Sequence, residues 1–453
     1  MTTPVSSARS GSTTPPRAAA TGRRYELDWL RAFVVLGLIP FHTAVIFSAT
    51  SDVFLKNAQT SDIMALLTAL AGTWGMPLLF AVAGASAYFA LSRRAAPRYL
   101  GERVQRLIVP FVFATLTLIP IQVYAVLVSN PELIKSFNIP IHDPNFTASP
   151  LAFYTEYLRA YAYFLTHFTP ALALVFWGHL WFIPRLFVYA LLTLPLFLWL
   201  RRSATGPRLL TALARLMRYP GAIFLFALPL GLVEIFVRAA GLSALTASWP
   251  IYDDWEQFAY FLLYFLYGFL LFAVSTMPAA ITRHGWAGLG LGVAGFALAL
   301  WLARGVALAT DPPDGALDAI NALIRGSVSW FWVVAILSFA FHSLTFTNRL
   351  LDYLNEAAFP IYVLHMPIVT VVGMYVISFS IPWALKFVLI IVIALALTVG
   401  VYELAVRRFR VTRLLFGLKP RPRRTDESAP RLSTGDRREP RVTPLTGGDR
   451  YAS

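Results

Sequence analysis

Ten runs of about twenty apolar residues divide this chain, and each is long enough to cross the hydrocarbon of a bilayer as a helix. They fall at Leu27–Ser48, Ile63–Leu91, Leu107–Val128, Gly178–Leu200, Gly221–Ala240, Phe258–Met277, Ala287–Ala309, Ser327–Phe346, Ala357–Phe379 and Pro382–Val406. Composition agrees: 57% of the residues are hydrophobic and only 13% charged, about half the charge of a soluble domain. The expected fold class is therefore an all-α polytopic integral membrane protein with about ten transmembrane helices. Cysteine is absent, which removes disulfides, thiolate metal sites and acyl-cysteine intermediates together.

Basic residues outnumber acidic ones, 38 to 23, and their placement orients the chain. Alternate connections hold Arg93, Arg94, Arg98, Arg103 and Arg106, then Arg201, Arg202, Arg208, Arg215 and Arg218, then Arg283 and Arg349, with basic flanks at both tails. The opposite connections hold few cations besides Lys56, Lys135, Arg159, Arg304 and Arg325. By the positive-inside rule both termini face the cytoplasm, as an even span count requires. This patterning argues against a nucleic-acid footprint. Residues 1–24 and 417–453 are Pro-, Ser-, Gly- and charge-rich and are expected to be disordered cytoplasmic tails, leaving 25–416 as the transmembrane domain. The long connection 129–177 is aromatic, and Leu151–Phe168 is predicted to form an interfacial amphipathic helix.

Ionisable residues inside spans are functional candidates. Arg31 and His42 share the first span, eleven residues apart, which returns them to within about 20° of one face with a rise of about 16 Å. Neither is expected to be neutralised locally. Snorkelling of Arg31 and a hydrogen-bonded core role for His42 are the alternatives. Arg103 and Arg106, three apart, would present two guanidinium forks on one helical face, a pattern suited to phosphate. At the other end of the bundle His179 and Trp181 open the fourth span, with Arg185 roughly 10 Å deeper, where it needs a carboxylate or an anionic ligand. Tyr362 and His365 lie one turn apart in the ninth span, and a hydrogen bond between helices is a further role for His365. Glu234 and Arg238 are expected to pair with each other. The Gly72–Gly84 stretch permits close helix packing or a break at Pro77.

Together these residues resemble the membrane-bound acyltransferase-3 family. The resemblance rests on Leu27-Asp28-Trp29-Leu30-Arg31 with His42 downstream, Phe80-Ala81-Val82-Ala83-Gly84, Arg103-x-x-Arg106 and Phe359-Pro360-Ile361-Tyr362-x-x-His365. It covers about Leu27 to Phe416. Within the family, His179-Leu180-Trp181-Phe182 and the basic tail look most like the branch that succinylates periplasmic glucans. The resemblance implies transfer of an acetyl or succinyl group from cytoplasmic acyl-CoA to a hydroxyl of an extracytoplasmic carbohydrate or glycolipid. It implies a multi-pass protein of the inner (plasma) membrane. His42 would carry the chemistry and Arg31, Arg103 and Arg106 the donor. His179, Trp181, Arg185, Tyr362 and His365 would line the acceptor side.

The chemistry of the residues is compatible with that. Coenzyme A is a polyanion, so its phosphates need cations on the cytosolic face. Imidazole suits removal of a proton from a hydroxyl near neutral pH, and His42 can act as base or as nucleophile. Asp28 and Glu356 are the candidate carboxylates to orient it, and His179, Tyr362 or a backbone amide the candidates for the oxyanion. Neither a metal nor a nucleic acid is expected; membrane lipids are, and an oligomer is compatible. A transporter or flippase for an anionic or lipid-linked solute is the rival reading, and a non-catalytic sensor the third.

Overall fold

A computed structural model describes residues 23–50, 55–136, 138–141, 143, 145–146, 149–167, 170–239, 255–308 and 315–419. Residues 1–22 and 420–453, which hold nearly all of the two expected tails, lie outside them. Helices α1 (Tyr25–Phe47), α2 (Asp62–Arg93), α3 (Ala96–Arg103), α4 (Val109–Thr117), α5 (Ile119–Ser129) and α6 (Leu133–Ser136) open the fold. Then come α7 (Pro150–Thr166), α8 (Pro170–Trp177), α9 (Phe182–Arg202), α10 (Gly206–Leu216), α11 (Ala227–Ala239), α12 (Trp255–Ala273) and α13 (Met277–Arg283). The last are α14 (Gly285–Leu308), α15 (Gly315–Ser343), α16 (Arg349–Val376), α17 (Trp383–Val401) and α18 (Arg410–Leu415).

Among the described residues eight helical stretches are long and apolar enough to cross a membrane, or nine if α12 and α13 form one broken span. Those two helices meet at 104°, where Pro278 stands in the first turn of α13 and restarts the helix. The expected run at 221–240 appears as a 3₁₀ turn, Ala222–Phe226, leading into α11, and its apolar stretch Ala222–Val233 is short. The expected span at 107–128 begins earlier, at Ala96, and is assembled from α3, α4 and α5. Proline explains its joints. Pro110 has no N–H and crowds the carbonyl four residues back, and the backbone answers with a π-helical turn at Val104–Ile108 in which Val109 N–H reaches Val104 O. Pro120 likewise follows the α4–α5 joint at Leu118.

The most enclosed span is α16, which packs against α1, α5 and α17. Trp29 ties α1 to the far end of α15 by donating Nε1–H to Phe346 O at 3.1 Å. The predicted amphipathic helix is present as α7, started by Ser149, whose Oγ accepts from Ala152 N–H. Its buried stripe Phe153, Tyr157, Ala160 and Phe164 faces α5 and α8, and Tyr157 donates its hydroxyl to Thr115 O at 2.8 Å. His284 also has a structural role: its Nε2 accepts Gly221 N–H at 2.9 Å, where Gly221 turns at φ 78°. The side chains of Glu234 and Arg238 lie outside the described residues.

Of the two outcomes open to the glycine-rich part of α2, close packing is realised and the helix runs unbroken through Pro77. A Cβ on Gly84 would stand 1.9 Å from Phe265 O, and one on Gly268 would stand 1.8 Å from Ala81 O. Thus α2 and α12 touch backbone to backbone. Gly268→Ala is expected to destabilise the fold by about 3 kcal/mol or more, since backbone has to move. Gly72→Ala, with nothing within 4 Å of its Cβ, should be neutral or stabilising by up to about 1 kcal/mol. Melting temperatures in detergent check the pair; equal shifts would contradict the backbone contact.

Candidate active site

The site begins with a stripe on α1. Arg31, Leu38, His42 and Val45 are each partly exposed and fall within about 60° of one another on the helix. The exposed Phe33 and Gly37 face away from them. Packed by α2, α15, α16 and α17, α1 nevertheless keeps this second, partly exposed stripe. Arg31 and His42 stand toward its two ends, about 16 Å apart along the axis.

Three histidines from three segments meet at the His42 end. The ring centres of His42 and His365 are 5.3 Å apart, and those of His179 and His365 are 5.1 Å apart. His365 is fully buried and its Nδ1–H donates to Tyr362 O at 2.7 Å, within its own helix. The hydrogen bond it makes is therefore within its own helix, to the i−3 carbonyl, and not the expected one between helices. His179 instead provides the interhelical bonds. Its Nε2–H donates to Val363 O at 3.2 Å, and Nδ1 is 3.1 Å from Gln122 Oε1. Gly178, at φ 48°, makes the turn that brings this ring beside Gln122. Tyr362 adds the reciprocal link, donating its hydroxyl to His179 O at 2.6 Å. His42 makes no hydrogen bond to a described residue, and its Nδ1 is buried without a partner, as is His365 Nε2.

Neither carboxylate considered for His42 reaches it. Asp28 is held by Arg23 and Arg31, and Glu356 by Arg413 at 2.7 Å. Arg31 itself is neutralised locally, contrary to expectation, because Asp28 lies one turn before it and its Oδ1 is 3.0 Å from the guanidinium. An i, i+3 pair on one helix needs no tertiary help. Asp28 Oδ2 continues to Arg23, which reaches Asp352 of α16 at 2.9 Å.

At the Arg31 end the cations converge. Arg31, Arg94 and Arg103 all lie within electrostatic range of Arg106, with Glu102 as the acidic member. Glu102 is already taken by Arg94 at 2.6 Å and by Arg98 at 3.6 Å. Arg103 lies over the Tyr99 ring at 5.0 Å and Arg106 is exposed, neither in an ion pair with a described residue. The simple α-helical face expected for this pair is altered by the π turn, a wide i→i+5 turn, that separates them.

Trp181 and Arg185 lie next to the histidines through Phe182, whose ring is 5.9 Å from that of Tyr362. The Arg185 guanidinium, 8% exposed, stands 4.7 Å from the Trp181 ring centre. One face of the indole thus carries a cation, and Phe80 and Phe261 flank it at 6.2 and 5.6 Å. Three participants escaped the sequence reading. Gln122 was detectable as a lone amide inside an apolar span. Arg94 looked like one more loop cation. Lys386, buried in α17, donates to Asn57 Oδ1 at 3.2 Å and Ile377 O at 2.7 Å, pinning the α1–α2 connection.

Among the described residues no group of three or more His, Cys, Asp or Glu is set to hold a metal ion. The arrangement is an imidazole cluster inside the helical bundle, with a group of arginines toward the other end of the α1 stripe. Residues 24–403 match the family described as an acyltransferase domain. Glucans biosynthesis protein C of Salmonella paratyphi B is 23% identical over 401 residues, covering 88% of this chain and 95% of its own. The protein of that name from Salmonella gallinarum is 24% identical over 403 residues, with the same shares covered. No solved structure matches the chain. With most of its length matched, its helices long enough to span a bilayer and its imidazoles gathered inside the bundle, the chain belongs to the acyltransferase-3 family and is a membrane acyltransferase.

Proposed function

We propose that the protein moves an acyl group, acetyl or succinyl, from acyl-CoA on the cytoplasmic side to a hydroxyl of an extracytoplasmic carbohydrate or glycolipid. His42 is the general base. The observation that carries this reading is the partly exposed stripe along α1, read as a crevice, with Arg31, Arg103 and Arg106 toward one end and His42 at the other. A pantetheine arm of roughly 15–20 Å matches the helix rise between them, so phosphates at Arg103, Arg106 and Arg31 would bring the thioester to His42. The name shared by the Salmonella relatives concerns glucans, which supports a carbohydrate acceptor. The arginine-rich connections support an orientation with both termini cytoplasmic, and the location proposed is the inner membrane.

The test is free-thiol release from a panel of acyl-CoAs by the purified protein with glucan or lipid-linked sugar supplied. The absence of cysteine leaves no protein thiol background. Release that favours one acyl chain names the donor. Bound coenzyme A without release would favour the transporter, and no binding would remove acyl-CoA as donor.

Trp181 serves the acceptor. Trp181→Ala is expected to raise the acceptor KM about tenfold, the worth of a lost aromatic contact, with the donor KM within about twofold. Steady-state kinetics decide it, and the reverse order would move the acceptor away from Trp181.

A further inference from the structure

Two buried ring nitrogens, His42 Nδ1 and His365 Nε2, have no hydrogen-bond partner among the described residues, although buried polar atoms are nearly always paired. They belong to neighbouring rings whose centres are 5.3 Å apart and whose planes are tilted by 36°. The two nitrogens do not bond each other directly, but rings this close leave them within reach of one bridging water.

We propose that His365 is the positioning residue for His42, with one water accepting from His42 Nδ1–H and donating to His365 Nε2. This rests on the reading of His42 as the base. The assignment follows from tautomers. His365 Nδ1–H is committed to Tyr362 O, so the Nε2 of its neutral ring carries a lone pair and can only accept. The matching donor is His42 Nδ1–H, which leaves the lone pair of His42 on Nε2. That is the nitrogen a base needs to present to a hydroxyl. His179 cannot take this part because both of its nitrogens are engaged, by Gln122 and Val363. Exposure gives the order: His42 is partly open to the crevice, whereas His365 is fully buried behind it. No carboxylate competes, since Asp28 and Glu356 are paired with arginines.

In the reaction, His42 Nε2 takes the hydroxyl proton as the acceptor oxygen attacks the thioester carbonyl. The new C–O bond forms, the C–S bond breaks, and the sulfur leaves with the proton that His42 returns. The water-bridged link from Nδ1–H to His365 persists throughout, steadying the ring while it is cationic.

Two variants separate this role from packing. His365→Phe keeps a planar ring and removes the acceptor; His365→Gln loses the ring and places an amide oxygen near the position of Nε2. The expected result is a fall in kcat of about 100-fold for Phe, both KM values within about twofold, and substantial activity for Gln. A structural role predicts the opposite ranking. Independently of turnover, ¹⁵N-histidine spectra of the full-length protein in detergent, assigned with His42→Gln, should show His42 as the Nδ1–H tautomer. In His365→Phe it should revert to the Nε2–H form that free imidazole side chains prefer. An Nε2–H tautomer in the wild type, or Phe and Gln variants of equal kcat, overturns the pairing. An active His42→Ala enzyme beside the expected spectra would instead overturn the base.

Discussion

His42→Ala is expected to lower kcat by about 10²- to 10⁴-fold, the usual worth of a positioned general base, while donor affinity stays within about twofold. The separation follows from distance. The cations proposed to hold the donor stand at the Arg31 end of α1, about three turns of helix from His42, so truncating the imidazole touches none of them. Stability should change little, because His42 makes no hydrogen bond to a described residue and is partly open to the crevice. Thiol release under saturating donor, beside coenzyme A binding and a melting curve, reads all three quantities. A folded variant that binds donor and keeps more than a tenth of wild-type turnover would end the case for His42 as base. Loss of folded protein would mean that the ring is a core element after all.

The architecture was legible in the sequence because the bilayer enforces it. Apolar runs of spanning length leave little choice of secondary structure, and eight of the ten expected spans are present at full length. The departures occur where proline acts. Pro110 and Pro120 cut one expected helix into three pieces, and the α12–α13 bend lies beside Pro278; sequence periodicity registers neither the π turn nor the angle. At the site, the Arg31–His42 spacing and the depth of His179 and His365 could be read as helix rise, and the three imidazoles do meet. What could not be read was which atom of each ring is spent. The bond from His365 to Tyr362 O and the use of Tyr362's hydroxyl by His179 O depend on rotamers and on the positive φ at Gly178. The pairing of Arg31 with Asp28 was within reach, since an i, i+3 carboxylate is visible in Asp28-Trp29-Leu30-Arg31. The electrostatic reach of Arg94 to Arg106 was not, because it arises from the fold of a loop.

Replacing both Arg103 and Arg106 by alanine should weaken coenzyme A binding by about 100-fold. Each charge-assisted contact to phosphate is worth roughly 1.5 kcal/mol at the low end, and the low end applies because Arg106 is exposed and screened by salt. The sign of the stability change makes this prediction discriminating. Arg106 lies among Arg31, Arg94 and Arg103, while Glu102 is shared by Arg94 and Arg98, so the unliganded rim repels itself. Removing two of its charges should leave the melting temperature unchanged or raise it, whereas structural arginines would lower it. Coenzyme A should raise the melting temperature of the wild type and do so far less in the double variant, because a ligand stabilises only what it binds. Affinity should also fall with added salt in the wild type and much less in the variant. Arg98→Ala is the control: 77% exposed and 3.6 Å from Glu102, it should change affinity less than about threefold. Calorimetric titration at two ionic strengths measures these effects, and an unchanged affinity in the double variant would remove Arg103 and Arg106 from the donor site.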